Sequence, residues 1–484
     1  MKRPLIVSLL CVLFCALFLP PVLAGPLREH PDLAPKIALL EQWIEAQRTY
    51  RSIPGLSIAV VHDQEIVWSR GFGVAVLTTK APVTPGTVFR IASITKTFTA
   101  TAVMLLRDRG KLRLDDPVSA HLPWFTYKNR HADGPVVTIR QLLTHTSGLP
   151  REAAFPYWTD HIFPTREQMI KALHEQESVF EPETRYKYSN LGMAILGEIV
   201  AAASGMPYDA FVTKNILEPL GMASTSVHPQ EALRGRWATG YDRKLDDGSR
   251  KAVDMLDSRG LVSAANISST VEDLGRWASF HMLEGKNTPG QVLKGSTLRE
   301  MHRAQWVNKS WTGGAGLGFS VSKGDGRSTY GHGGWVGGNR SQFTVSPKEK
   351  VAVIVMVNAD DGEPGFFAAR AMAMLAPAIA KITAVPAPPA KFDPAWQKYT
   401  GTYTDPAGWE TKVLIMDNKL MMYGFSYPPE DDPMGSLSEL AYERDGVFRV
   451  GGDDGSGELV YFEMGADGKV ARIKAEENFL YPKK

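Results

Sequence analysis

Strand-forming segments lie on both sides of a long helix-rich stretch, and this arrangement constrains the fold more than any other feature. The apolar runs Leu56 to Val61 and Ile66 to Trp68 flank His62-Asp63-Gln64-Glu65, a pattern typical of an antiparallel hairpin. Strand-like sequence returns far downstream, at Gln342 to Val345 and Val351 to Val357. Together the two blocks predict one antiparallel sheet formed from distant segments, with helices packed beside it.

Helical periodicity fills most of the intervening sequence. An amphipathic helix is predicted at Ala34 to Tyr50, and further helices at Thr95 to Arg109, Leu191 to Ala203 and Val271 to Met282. The sequence therefore predicts an α+β fold over residues 25–382, in which an antiparallel sheet is flanked by helices and carries an inserted helical region.

A proline-rich spacer at residues 383–394 separates this region from a C-terminal module of a different kind. Short strand candidates at Lys412 to Ile415, Leu420 to Tyr423 and Leu459 to Met464 alternate there with turns such as Asp417-Asn418. Residues 395–484 are predicted to form a small all-β barrel or sandwich.

The N-terminal residues 1–24 have the pattern of a secretory signal peptide. Lys2 and Arg3 precede an apolar run, and Val22-Leu23-Ala24 offers small residues before a cleavage point. Both cysteines of the chain lie in this segment, so the mature protein would have no disulfide and no thiolate ligand. We expect a periplasmic or secreted protein without a membrane anchor after cleavage.

Several functional classes lack support in the sequence. Without Lys2 and Arg3 the chain has 52 basic and 52 acidic residues, which does not indicate a nucleic-acid partner. It has no P-loop motif and no G-x-S-x-G elbow. The segment His174 to Ser178 approaches a helical metal motif but lacks the second histidine, so no metal site is predicted.

The pattern Ser93-Ile94-Thr95-Lys96 lies where an extended segment gives way to a long apolar helix. At positions i and i+3 of a first helical turn, a hydroxyl and an amine share one face and can hydrogen-bond. Burial and the positive end of the helix favour the free amine, which can take the serine proton. The motif alone is weak, because a helix cap with a solvated lysine gives the same pattern and Ser320 to Lys323 also fits it.

A second pattern, Tyr188-Ser189-Asn190, directly precedes a predicted apolar helix. A phenolate favoured by a nearby lysine can act as a general base, and the amide can hydrogen-bond a substrate carbonyl. A capping asparagine beside a packed tyrosine is the structural alternative. The similar pattern Tyr127 to Asn129 lies in a charged loop and ranks lower.

The third pattern is His332-Gly333-Gly334, in a glycine-rich segment before the strand candidates that begin at Gln342. Glycines let a substrate approach the backbone closely, and a backbone N–H can complete an oxyanion hole. A glycine-rich turn that carries a surface histidine is the alternative.

Taken together and in this order, the three patterns resemble the serine β-lactamase and penicillin-binding-protein superfamily. The similar branch contains class C β-lactamases, DD-peptidases, D-aminopeptidases and related esterases. The resemblance covers most of residues 54–380 and includes the flanking stretches Phe89 to Ala92, Gln141 to Leu149, Gly260 to Ser263 and Asp273-Leu274.

The resemblance implies a role for each matching residue. Ser93 would be the acylated nucleophile, Lys96 its proton-shuttling partner, Tyr188 a phenolic base and Asn190 the amide that orients the substrate. The implied reaction is acylation of Ser93 followed by hydrolysis of the acyl-enzyme, with no cofactor.

The third motif departs from the β-lactamase pattern. His332 stands where a lysine is usual, and Gly333 replaces a hydroxyl residue. Backbone N–H groups of Ser93 and Trp335 would form the oxyanion hole, with Gly334 beside them. Because a histidine is mostly uncharged near neutral pH, we expect small esters or D-amino-acid amides and peptides, including cell-wall-derived ones, as substrates rather than β-lactams.

Other functions stay open at this level. They are β-lactamase or DD-carboxypeptidase activity, a slowly deacylating penicillin-binding sensor, and a scaffold without activity. Trp335, Trp68, Trp311 and Phe319 are candidates to line an acyl pocket, although buried aromatic residues more often belong to a core. The C-terminal module, from Tyr399-Thr400-Gly401-Thr402-Tyr403, resembles a lipocalin-like domain of unassigned role, and the oligomeric state is not predicted.

Overall fold

The structure is a computed structural model that describes residues 27–131, 133–284, 286, 291–324, 326–384, 393–425, 436–451 and 455–483. The predicted signal segment 1–24 and residues 385–392 of the spacer lie outside the described residues. The chain divides into two compact units, residues 1–383 and 384–484.

An antiparallel sheet of nine strands, in the order β3-β2-β1-β13-β12-β11-β10-β9-β8, forms the centre of the first unit. The strands of this unit are β1 Gly55–His62, β2 Glu65–Val76, β3 Ala81–Pro82, β4 Phe89–Arg90, β5 Gly240–Tyr241, β6 Ala252–Val253, β7 Ser268–Ser269, β8 Trp306–Val307, β9 Gly313–Ala315, β10 Ser320–Gly324, β11 Arg327–Val336, β12 Asn339–Ser346 and β13 Val351–Val357. Outside the large sheet, β4 pairs with β7 and β5 pairs with β6. The N-terminal hairpin β1–β2 pairs with β13, so the sheet joins distant segments as predicted.

Helices cover both faces of this sheet. They are α1 Ala34–Tyr50, α2 Thr95–Asp108, α3 Val118–His121, α4 Ile139–Leu143, α5 Tyr157–Asp160, α6 Arg166–Leu173, α7 Asn190–Ser204, α8 Tyr208–Val212, α9 Val262–Ala265, α10 Val271–His281, α11 Gly295–His302 and α12 Pro364–Thr383. The predicted helices are present with ends that agree to within one residue. Ser189 and Thr270 cap the N-termini of α7 and α10, and Gly205 ends α7.

The period-two alternation of side chains gives the sheet two separate cores. In β13, Val353 and Val355 pack against α1 and α12, whereas Ile354 and Met356 belong to the core on the helical-region side. Every residue of β13 is buried, which explains why its sequence is continuously apolar. This arrangement confirms the predicted α+β class.

The apolar helix α12 is a core helix. In the described part of the chain it meets the length and composition test for crossing a membrane, as does the bent pair of α7 with residues 208–217. Phe367, Leu375 and Ile379 of α12 are fully buried with the valines of β1 and β13. Burial against the sheet accounts for the apolar character of the helix.

The second unit contains a closed barrel of eight strands, each paired with its neighbour in sequence and closed by β14 with β21. The strands are β14 Gly401–Thr404, β15 Glu410–Met416, β16 Lys419–Gly424, β17 Leu437–Arg444, β18 Val447–Gly451, β19 Leu459–Met464, β20 Val470–Ala475 and β21 Asn478–Pro482. Side chains such as Val413, Phe448 and Ile473 fill its interior. Of the two predicted all-β architectures, the module is the barrel.

Candidate active site

Ser93 lies at the junction between strand β4 and helix α2. A single 3₁₀ turn, Ala92–Ile94, connects the two elements and leads directly into the helix. Ala92 has φ of 48°, in the left-handed region that a residue with a Cβ adopts at a cost of about 1 kcal/mol. This sharp turn leaves Ser93 partly exposed while the residues on either side of it are buried.

Lys96 follows Ser93 by one helical turn, and its amine reaches back to the serine. Its Nζ lies 3.0 Å from Ser93 Oγ and donates to the carbonyl oxygen of Ala264 over 2.8 Å. The side chain is fully buried and makes no ion pair within the described residues. The local geometry predicted from the i, i+3 spacing is therefore present.

Burial changes the protonation of Lys96. It lowers the pKa of the amine to about 7, since a charged group loses its hydration there. The negative charge of Glu152 opposes this change, and the positive charge of Arg151 adds to it. Near neutral pH a large fraction of Lys96 is a free amine, which is the form that accepts a proton.

Tyr188 meets Ser93 from the loop before α7. Its hydroxyl donates to Ser93 Oγ over 3.0 Å, and Lys96 Nζ lies 5.0 Å from the centre of its ring. Burial raises the pKa of the Tyr188 phenol above its ordinary value, with the hydrogen bond to Ser93 acting in the opposite direction. The expected lysine-favoured phenolate is therefore not the resting form, and Lys96 is the stronger candidate base in the free enzyme.

His145 packs against the ring of Tyr188. The two rings lie 4.5 Å apart between centres, and the backbone N–H of Ser189 donates to His145 Nδ1 over 3.2 Å. Burial and the charge of Lys96 hold the pKa of His145 well below its ordinary value, so the ring is neutral and accepts this hydrogen bond.

Asn190 is the first residue of helix α7 and follows Tyr188 by two positions. Its Nδ2 donates to both carboxylate oxygens of Glu152, over 2.8 and 3.0 Å. Its Oδ1 is buried and has no hydrogen-bond partner among the described residues. The amide donor is thus directed at a carboxylate in the free protein.

His332 lies on β11, near Tyr188, with 6.2 Å between the ring centres. Burial and the charge of Lys96 lower the pKa of His332 to about 4, so the side chain is neutral at physiological pH. Its Nδ1 lies 2.6 Å from the carbonyl oxygen of Gly333 and must donate there, because a carbonyl only accepts. The neutral tautomer leaves Nε2 as an acceptor.

The His332-Gly333-Gly334 segment is a strand, not a glycine-rich turn with a surface histidine. Strand β11 pairs with β12 along its whole second half, while its pairing with β10 ends at Gly331. Among the residues that the structure describes, the edge from His332 to Val336 therefore has no strand partner on one side. Gly331 is required by close packing, since a Cβ there would lie 1.9 Å from the carbonyl oxygen of Phe343.

Gly334→Ala is expected to destabilise the protein by about 1–3 kcal/mol through overpacking. A Cβ at position 334 would lie 2.2 Å from the carbonyl oxygen of Ile91 and 2.3 Å from Ser341 Oγ. Gly333→Ala is the matched control for stability, because its nearest contact would be Gln342 Oε1 at 3.3 Å. Thermal unfolding of both variants checks this; equal melting temperatures would contradict the packing account.

A cavity of about 670 Å³ opens over Ser93. Its walls include all of the predicted site residues except Lys96, which lies beneath Ser93. Trp158 and Trp335 stand parallel on one side with 5.9 Å between ring centres, and the indole N–H of Trp335 donates to Asp360 over 2.7 Å. The cavity thus combines a reactive hydroxyl with an aromatic wall.

Only one of the four aromatic residues proposed for an acyl pocket lines this cavity, namely Trp335. Trp68 lies in the core on the α1 side, where its indole N–H donates to Glu41, because strand alternation turns it away from the cleft. Phe319 is buried against His281 and His302. Trp311 is exposed and borders a different cavity.

Several residues of the cavity had no signal in the sequence patterns. They are the charged side chains Arg151, Arg340 and Glu363, the aromatic side chains Trp158 and Phe366, and Gln342. Glu152, which contacts Asn190, is equally unmarked. These residues come from separate loops, strands and helix starts, and only their position two and three residues after the quoted stretch 141–149 could have drawn attention to Arg151 and Glu152.

Comparison with known proteins places this site in a family context. The family model described as Beta-lactamase matches residues 40–376. Penicillin-binding protein 4 of Amycolatopsis lactamdurans is 31% identical over 331 residues, which is 66% of this chain and 84% of that protein. These findings confirm the resemblance predicted from the three motifs.

Solved structures give the same fold. A penicillin-binding protein homologue from Pyrococcus abyssi, described as octameric, matches with a TM-score of 0.63 and 24% identity over 92% of this chain and 99% of its own. A D-stereospecific amidohydrolase from Streptomyces sp. matches with a TM-score of 0.58 and 25% identity over 69% of this chain and 97% of its own.

Proposed function

The chain belongs to the beta-lactamase family, and from this premise we propose that it is an exported serine hydrolase that forms an acyl-enzyme on Ser93. The observation that carries the proposal is the convergence of two groups on one oxygen. Lys96 Nζ and Tyr188 Oη each lie 3.0 Å from Ser93 Oγ. An otherwise weak nucleophile is activated by such neighbours.

In the acylation step, Ser93 Oγ attacks the substrate carbonyl while its proton passes to the free amine of Lys96. The buried position of Lys96 favours this transfer, since the neutral amine is populated near pH 7. Backbone N–H groups of Ser93 and Trp335 are the candidates to hold the developing oxyanion, because both residues border the cavity.

Departure of the leaving group needs a proton, and the Tyr188 hydroxyl is placed to deliver it. Tyr188 remains protonated because burial raises its pKa, and it contacts Ser93 Oγ directly. The Lys96 proton then replenishes Tyr188. Water attacks the acyl-enzyme in the second half of the cycle, with Lys96 and Tyr188 acting in reverse order.

Small esters and D-amino-acid amides or peptides are the proposed substrates. The neutral His332 offers no fixed cation for the carboxylate of a β-lactam, which supports this choice. The aromatic wall of Trp158 and Trp335 suits an apolar acyl or leaving group. The likeness to a D-stereospecific amidohydrolase favours the D-amino-acid branch.

A slowly deacylating penicillin-binding protein is the second candidate function. The similarity to Penicillin-binding protein 4 favours it. In that case a β-lactam would acylate Ser93 once and product release would be negligible, so turnover distinguishes the two candidates.

A substrate panel tests the proposal: a short p-nitrophenyl ester, a D-amino-acid amide, a D-Ala-D-Ala peptide and a chromogenic cephalosporin. We expect sustained turnover of the ester or the D-amino-acid amide. Hydrolysis of the cephalosporin is expected to have a roughly 10- to 100-fold lower kcat/KM, the scale of one missing charge-assisted hydrogen bond. One acyl group per protein without release, seen by pre-steady-state kinetics, would instead establish the penicillin-binding alternative.

A further inference from the structure

We infer that Glu152 is a positioning residue of this site: its carboxylate fixes the orientation of the Asn190 amide and sets the charge balance around Lys96 together with Arg151. The inference rests on the proposed function, because it concerns the same reaction. Glu152 belongs to no motif, and its role follows from its contacts with Asn190, Tyr157 and Arg151 and from its charge.

The carboxylate determines which end of the Asn190 amide faces it. An ionised carboxylate only accepts hydrogen bonds, so Nδ2 must point to Glu152 and Oδ1 must point away. The two distances of 2.8 and 3.0 Å from one Nδ2 to both oxygens indicate an N–H directed between them. One further amide hydrogen then stays available for a substrate.

Glu152 is itself held in place. The hydroxyl of Tyr157 donates to its Oε2, and Arg151 Nε lies 3.0 Å from its Oε1. Its side chain is 20% exposed, so it sits at the edge of the cavity rather than in bulk water. A partner with both a donor and an acceptor, such as glutamine, would accept either orientation of the Asn190 amide.

The same carboxylate acts on Lys96 through charge. Glu152 and Arg151 are the charged neighbours that change the pKa of Lys96, in opposite directions. The other groups that face Lys96 are Tyr188, His332 and His145, and these are uncharged near pH 7 because burial favours their neutral forms. Removal of either charge is therefore expected to shift the pKa of Lys96 in a known direction.

Two variants that are expected to shift the pKa of Lys96 in opposite directions test the inference. Glu152→Gln keeps the shape but removes the negative charge, so the pKa of Lys96 falls and the acid limb of the kcat/KM profile moves to lower pH. Its plateau is expected to fall roughly tenfold, because the Asn190 amide is no longer held in one orientation. Arg151→Gln is the matched counterpart, and its acid limb is expected to move to higher pH.

Glu152→Asp provides the rescue. It restores the charge with a shorter side chain, so the acid limb is expected to return toward its wild-type position while the plateau recovers only in part. A purely structural role for Glu152 would lower the plateau or the melting temperature without moving the acid limb. That pattern, in which both glutamine variants keep the wild-type limb, overturns the inference.

Titration of Lys96 gives a readout that does not depend on turnover. Protein labelled with [ε-¹³C]lysine is titrated by NMR, and the Lys96 signal is assigned by its loss in a Lys96→Met variant. Wild-type protein that hydrolyses nothing would defeat the proposed function, yet the titration would still decide on Glu152. Unchanged Lys96 titration in Glu152→Gln and Arg151→Gln overturns the inference even in a fully active enzyme.

Discussion

Replacing Ser93 with alanine is expected to abolish acyl transfer and to lower kcat/KM by roughly four to six orders of magnitude for every substrate that the protein turns over. Ser93 Oγ is the atom to which both Lys96 and Tyr188 are directed, so its removal leaves these groups without a nucleophile to activate. Binding and oxyanion stabilisation alone would account for the residual rate. Steady-state kinetics and intact-protein mass spectrometry of trapped acyl adducts provide the measurement.

The chain supplies its own control for this prediction. Ser320 lies in the second Ser-x-x-Lys pattern, but on the exposed face of strand β10 rather than on a helix. Ser320→Ala should retain wild-type kinetics and the full acyl adduct. Persistence of an adduct in Ser93→Ala, or its loss in Ser320→Ala, would contradict the assignment of Ser93.

Replacing Lys96 with methionine is expected to reduce kcat/KM by roughly three orders of magnitude or more. Methionine fills the fully buried space without a titratable group, so folding is preserved while the proton acceptor is lost. In the wild type, kcat/KM should decline below about pH 7 as the amine becomes protonated. The variant should lack this acid limb, because no group with that pKa remains next to Ser93.

Two comparisons sharpen the Lys96 prediction. Tyr188→Phe should lose less activity than Lys96→Met, roughly two orders of magnitude, because Tyr188 is a protonated relay rather than the free base. Lys323→Met, in the exposed second pattern, should have no effect on the pH profile. The assignment of Lys96 as base would be wrong if Tyr188→Phe removed the acid limb and Lys96→Met kept it.

The neutral state of His332 gives the site its chemical character. A permanently charged residue at this position would attract an anionic substrate, whereas His332 has its pKa lowered to about 4 and presents an acceptor nitrogen. The positive charges of the cavity are instead Arg151 and Arg340, both outside the recognised motifs. The lack of a fixed positive charge at position 332 is the physical basis for proposing esters and D-amino-acid amides over β-lactams.

Local sequence determined those features that depend on neighbours along the chain. The spacing of Ser93 and Lys96 is sufficient to place both on one face of α2, because an α-helix repeats every 3.6 residues. The apolar runs of β1 and β13 were likewise sufficient to predict a buried antiparallel sheet. Short strands separated by turns predicted a small all-β module at the C-terminal end, and the structure decided that it is a barrel rather than a sandwich.

Tertiary structure alone decided which distant residues meet. Tyr188 is 95 positions from Ser93 and reaches it only because the loop before α7 packs over the start of α2. Glu152 enters the site from a loop and Trp158 from the four-residue helix α5, neither of which has a marked periodicity in sequence, and Trp68 points away from the site because the register of β2 directs it to the α1 side. The protonation states of Lys96, Tyr188 and His332 also required the fold, since desolvation depends on every element packed around a group and not on its neighbours in sequence.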